Sequence, residues 1–89
     1  MKFEWDERKE RANRKKHGIS FEEATTVFGD PLAGTIPDPD HSERESRLLT
    51  IGFSTKNRLI VVSHTEAGET TRIISAREAN TNERKAYES

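Results

Sequence analysis

From Arg47 onward the apolar residues recur every second position, and this constrains the fold more than any other feature of the chain. Leu49, Ile51 and Phe53 alternate with Thr50, Gly52 and Ser54, the signature of a strand with one buried face. After the loop Thr55-Lys56-Asn57, a strand is expected from Arg58 to His64. Its Leu59-Ile60-Val61-Val62 run is apolar on both faces and suits the centre of a sheet. Ala67-Gly68 marks a second hairpin, and Thr70 to Ala76 reads as a third strand.

The residues before this meander read differently. Lys2 to Trp5 is a short strand or extended lead-in, and Asp6 is a good N-cap for a charged helix ending at His17-Gly18. Glu7–Arg11 and Glu10–Arg14 are stabilising i,i+4 pairs. The helix is nearly devoid of apolar residues, and its inward stripe is expected to be Trp5, Lys9, Ala12, Asn13 and Lys16. Ser20 and Glu23 form a capping box that opens a second helix through Phe28, with Phe21, Ala24, Val27 and Phe28 on one face. Leu32 to Ile36 is a weak strand, followed by a rigid acidic loop from Pro37 to His41. Asn80 and Glu83 form a second capping box, opening a short last helix through Tyr87; an earlier start capped by Ser75 is the alternative. The expected fold is α+β: two N-terminal helices packed on an antiparallel three- to four-stranded sheet, with a short C-terminal helix.

Eighty-nine residues suffice for one domain, expected to span 1–89. Only 17 residues are Ile, Leu, Val or Phe, but 15 cations nearly balance 16 anions and the apolar residues are clustered, which argues for a folded chain. The absence of cysteine removes disulfides and thiolate metal sites. No apolar run approaches a membrane span or a signal-peptide core, so a cytoplasmic protein is expected. The charge is unevenly placed: net +3 over residues 1–17, −6 over 18–46 and +2 over 47–89. Basic ends around an acidic middle suit a polyanion-binding face beside a protein-binding one, or simply a solvated surface.

Phosphate-loop, dinucleotide-binding, metalloprotease and serine-hydrolase motifs are absent. Asp38, Asp40, His41, Glu43 and Glu45 could chelate a cation, but acidic turns are commoner than metal sites and the spacing fits no known loop. His17 complements the dipole at a helix end. His64, at the end of an apolar strand, is the best acid–base residue in the chain, or else a strand-end polar residue. Arg72 lies inside a strand and Arg77 just beyond it; both suit bidentate contact with phosphate, or a salt bridge within the fold. Arg84, Lys85 and Tyr87 add two cations and a hydroxyl. Such a set could support metal-free RNA cleavage, in which a 2′-hydroxyl attacks its neighbouring phosphate and the protein orients, moves protons and stabilises charge.

Phe3-Glu4-Trp5-Asp6, Lys9, Asn13, the block Lys16 to Ala24, Val27-Phe28, Asp30-Pro31, the block Arg72 to Arg77, Glu83-Arg84 and Tyr87 together resemble the BrnT family of toxins, over residues 3–87. The resemblance implies a RelE-like α+β fold and a metal-independent endoribonuclease that inhibits translation, with no cofactor. It also implies a BrnA antitoxin with a ribbon-helix-helix domain, in a complex that represses its own operon. Arg72 and Arg77 are expected to hold the scissile phosphate, with His64 as proton-transfer group. Lys9, Arg84, Lys85 and Tyr87 are expected to bind RNA, and Arg8, Arg11 and Lys15 the antitoxin, in a complex with two copies of each chain. Arg72 and Arg77 have opposite strand parity, so they share a face only if the chain bulges near Ser75. The alternative is a non-catalytic module that binds the antitoxin and acts only in regulation.

Overall fold

The computed structural model describes residues 1–40 and 46–88. In chain order the elements are β1 (Lys2–Trp5), α1 (Glu7–His17), α2 (Phe21–Thr26), a 3₁₀ turn (Val27–Gly29), β2 (Gly34–Pro37), β3 (Arg47–Phe53), β4 (Leu59–Ala67), β5 (Thr70–Glu78) and α3 (Thr81–Glu88). The strands form one sheet in the order β1-β5-β4-β3-β2. β4 is central, as its two-faced apolar run requires, and it continues three residues past His64.

The sheet is larger than the meander alone, and it is mixed. β2 pairs antiparallel with β3, whereas β1 pairs parallel with β5, from Lys2↔Thr70 to Trp5↔Ile73. Phe3 and Trp5 alternate with Lys2 and Glu4, so β1 turns its rings toward the core and its charges outward. Five strands and one parallel edge therefore replace the expected three or four antiparallel ones.

α1 starts at Asp6, whose carboxylate accepts the Arg8 N–H at 2.8 Å, and stops at Gly18, which adopts φ 70°. Of the expected stripe, Asn13 is buried and Trp5 packs against the core, but Lys9, Ala12 and Lys16 are exposed and Glu10 is buried in their place. With no apolar side chains to drive docking, α1 is held by polar clamps. Glu10 accepts the Phe21 N–H at 3.4 Å, and Asn13 bonds to the backbone of Ile19 and Ala76.

α2 is capped by Ser20, which accepts the Glu23 N–H at 3.1 Å. It ends two residues earlier than expected, giving way to the 3₁₀ turn at Val27. Glu23 is buried and bonded to Ser54 and to the Arg58 guanidinium, which holds its carboxyl below the usual range and ties α2 to the β3–β4 turn. Ile19, Phe21, Ala24 and Val27 pack on Ile60, Val62, Ile73 and Ala76, with Phe3, Trp5 and Phe28 around them.

The opposite face of the sheet carries α3. Its expected capping box is present: Asn80 and Glu83 exchange backbone-to-side-chain bonds of 2.8 and 2.9 Å. The Tyr87 ring stacks edge-on against Phe53 at 5.4 Å, and its hydroxyl donates to Asp30. Among the described residues no helix is long and apolar enough to cross a membrane.

A candidate RNA-binding face

The geometry turns on a bulge. Ser63 pairs with Ser75, but His64 pairs with Ile73, leaving Ile74 as an extra residue on β5. Ile73 and Ala76 consequently both point into the core although three residues apart. Arg72 and Arg77, five residues apart, both point to the face that carries α3. The condition for the two arginines to share a face is met. Arg72 stands opposite Thr65 and Arg77 opposite Val61, so roughly 13 Å of strand separates them.

Each arginine already has a carboxylate. Arg72 Nη1 donates to Glu4 Oε2 at 2.7 Å, both side chains being about half exposed. Arg77 grips Glu83 with both terminal nitrogens at 2.8 Å, which holds the Glu83 carboxyl below its ordinary range and raises Arg77. Asp6 is held below the usual carboxylate range by the Arg8 and Lys9 backbone N–H groups, and the Lys9 and Arg72 charges add to this. Between the arginines lie exposed Ser75 and buried Ser63, whose hydroxyl has no partner among the described residues.

His64 does not join them. It pairs with Ile73, faces the core, and is 2% exposed beneath Phe28, whose ring lies edge-on at 4.9 Å. Its Nδ1 meets Glu66 Oε2 and its Nε2 meets Thr50 Oγ1, both at 2.7 Å. Carboxylate, imidazole and hydroxyl are thus in line as in a hydrolase triad, but Thr50 is 1% exposed, so no substrate reaches the hydroxyl. Burial lowers the His64 pKa, against the opposing pull of Glu66. The expectation of one site built from Arg72, Arg77 and His64 is corrected at its third member: the imidazole lies on the other side of the sheet.

The remaining expected residues are spread around this frame. Arg84 and Lys85 are exposed on α3, with Arg84 4.0 Å from Glu88. Tyr87 is committed to Asp30, a bond that pushes its phenol pKa up to about 12, so it anchors α3. Arg8, Arg11 and Lys15 are exposed on α1. Among the described residues no three His, Asp or Glu side chains are grouped to hold a metal; Asp38 instead accepts the Asp40 N–H at 3.0 Å, and His41, Glu43 and Glu45 lie outside the described residues. Glu4 was missed as the partner of Arg72, although the alternation of Phe3 and Trp5 with Lys2 and Glu4 places it on the polar face.

The family model for the ribonuclease toxin BrnT of type II toxin–antitoxin systems matches residues 5–83. The chain belongs to the BrnT family. A BrnT protein of known structure, the Brucella abortus ribonuclease toxin solved at 1.1 Å, superposes with a TM-score of 0.70 at 30% identity, covering 91% of this chain and 99% of that one. No curated protein sequence matches the chain. Within this BrnT chain, the block from Lys16 to Ala24 forms the α1–α2 corner, and the block from Arg72 to Arg77 is the bulged half of β5.

Proposed function

We propose that this chain is a metal-independent endoribonuclease that inhibits translation by cleaving RNA at the open sheet face. The observation that carries this is the bulge at Ile74, which turns Arg72 and Arg77 to one surface. The two guanidiniums hold and neutralise the phosphate backbone, releasing Glu4 and Glu83 as they do so. Exposed Lys9 at the start of α1 adds positive charge, and Arg84 and Lys85 extend it along α3. The RNA supplies its own nucleophile: the 2′-hydroxyl attacks phosphorus, the 5′-oxygen leaves, and a cyclic phosphate remains. With His64 buried, Glu4 is the carboxylate best placed to take the hydroxyl proton.

The antitoxin in this reading is a BrnA-type ribbon-helix-helix protein that carries the complex to operator DNA. Two copies of each chain assemble, the dimer contact coming from the antitoxin. Exposed Arg8, Arg11 and Lys15 on α1 offer it a cationic surface, so reversing the charges of Arg8 and Arg11 should slow association in low salt.

The carboxylates on both arginines favour a second reading, a binding module that regulates without cleaving. Purified RNA incubated in EDTA separates the two. The nuclease reading expects cleavage by the wild-type chain, reduced about 10²-fold by Arg72→Ala with folding retained. Intact RNA with the wild-type chain establishes the module instead.

A further inference from the structure

The open face has an apolar half as well as a cationic one. Leu32 and Ile36, 76% and 59% exposed, stand at the lip of a groove of about 390 Å³. Leu49, Ile51 and Val61 form its floor, and Tyr87 on α3 closes the far wall. Single exposed aliphatic residues are ordinary, but a contiguous apolar groove on a small chain signals an interaction surface.

The surrounding charge narrows the occupant. Residues 18–43 contain no lysine or arginine. Asp30 reaches the groove through its bond to Tyr87, Glu83 stands in its wall, and exposed Asp40 follows β2. An acidic rim repels RNA and favours a cationic partner. Strand addition to the free edge of β2 is poorly served, because that strand has four residues and ends in Pro37, which lacks an N–H. A trough between a sheet and a helix suits instead the apolar stripe of another helix, with side chains inserted at i and i+4.

We propose that this groove receives an amphipathic helical segment of the antitoxin, with basic residues flanking its apolar stripe. The inference rests on membership of a toxin–antitoxin family and does not require the chain to cleave RNA. A helix seated there lies against Glu83, and therefore beside Arg77, so it covers the Arg77 end of the cationic half of the same face. Neutralisation then follows from simple occlusion. The contact is separate from any made on α1, across the sheet.

The test is a calorimetric titration of the full chain with its antitoxin. Leu32→Asp combined with Ile36→Asp should weaken binding by about 30-fold or more, with the circular dichroism and oligomeric state of the free chain unchanged. Should the double variant fold poorly, Leu32→Ser with Ile36→Thr should still weaken binding by about tenfold. Ile36→Lys should be worse than Ile36→Asp in low salt, the gap closing in high salt, because the flanks are basic. Affinity within threefold of wild type for the aspartate pair overturns the proposal. So does a free wild-type dimer that the aspartates split while antitoxin binding persists, which makes a second copy the occupant. Loss of RNA binding with antitoxin affinity intact assigns the groove to nucleic acid and overturns it as well. Affinity is read directly, so a chain that proves not to be a nuclease leaves this result interpretable.

Discussion

Asn13 pairs with Ala76 as one peptide unit pairs with another. Its amide nitrogen donates to the Ala76 carbonyl at 2.8 Å, and its amide oxygen accepts the Ala76 N–H at 3.0 Å. β1 stops pairing with β5 at Ile73, and the side chain of Asn13 continues the ladder where the strand has left. The same nitrogen also donates to the Ile19 carbonyl at 2.9 Å.

Asn13→Ala should therefore cost about 2–4 kcal/mol in urea unfolding, since buried backbone groups lose their partner. Asn13→Asp keeps the acceptor for the Ala76 N–H but sets a carboxylate against two carbonyls, and should be no better. A loss below about 1 kcal/mol for both would mean that water takes over the bonds.

His64 makes stability depend on pH. Burial holds its folded pKa below the unfolded value of about 6.5. The unfolded chain thus binds the proton more readily, and stability rises with pH across that interval. The contribution is full above pH ~6.5 and is lost as the pH falls toward the folded value, by at most about 1.4 kcal/mol per pH unit. Urea midpoints at pH 7 and 5.5 should differ for the wild type, and the difference should shrink in His64→Gln. An equal drop in both proteins would assign the acid sensitivity to other groups.

Glu4→Gln separates binding from chemistry. Removing the charge beside Arg72 should tighten RNA binding a few-fold, most clearly in low salt. If Glu4 also takes the 2′-hydroxyl proton, turnover should fall by about 10² or more under the same conditions. Tighter binding with undiminished turnover would leave Glu4 only the role of holding Arg72.

Gly52 sits where a side chain has little room. A Cβ there would lie 3.0 Å from Ala33 Cβ, 3.1 Å from Val27 Cγ1 and 3.2 Å from Asp30 Oδ2. Gly52→Ala should destabilise by about 1–3 kcal/mol. Because Asp30 also holds the Phe53 N–H and the Tyr87 hydroxyl, amide exchange in α3 should quicken. Unchanged exchange there would show that Asp30 absorbs the added methyl group.

Much of the frame was legible because it rests on local chemistry. Asp6, Gly18, Ser20 and Asn80 cap helices through bonds to neighbours in sequence, and the two-faced apolar run placed β4 at the centre. The parity of Arg72 and Arg77 even stated where a bulge was needed. What stayed hidden depends on partners far along the chain. Nothing in Lys2–Trp5 signals that it runs parallel to a strand some 68 residues later. Lys9, Ala12 and Lys16 were wrongly set beside Asn13 on the inward face of α1, because a helix nearly without apolar residues has little stripe to follow and its docking is settled by Asn13 meeting a distant backbone. His64 was placed with the arginines because a strand apolar on both sides carries no parity signal of its own.

The extra residue at Ile74 acts as a phase shift along β5. Everything before it alternates in one phase and everything after it in the other, so pairing Ile74 into the ladder would rotate Arg77 beneath the helices and bring Ala76 to the surface, whereas deleting it would leave a regular strand with both arginines on one face. The spacing between the two arginines is then set by a count of residues rather than by their identity. A chain of this kind can exchange Ile74 or Ser75 for other side chains and keep both cations on one surface, whereas a register that paired all five peptide steps between them, whatever the side chains, would divide them between the two faces.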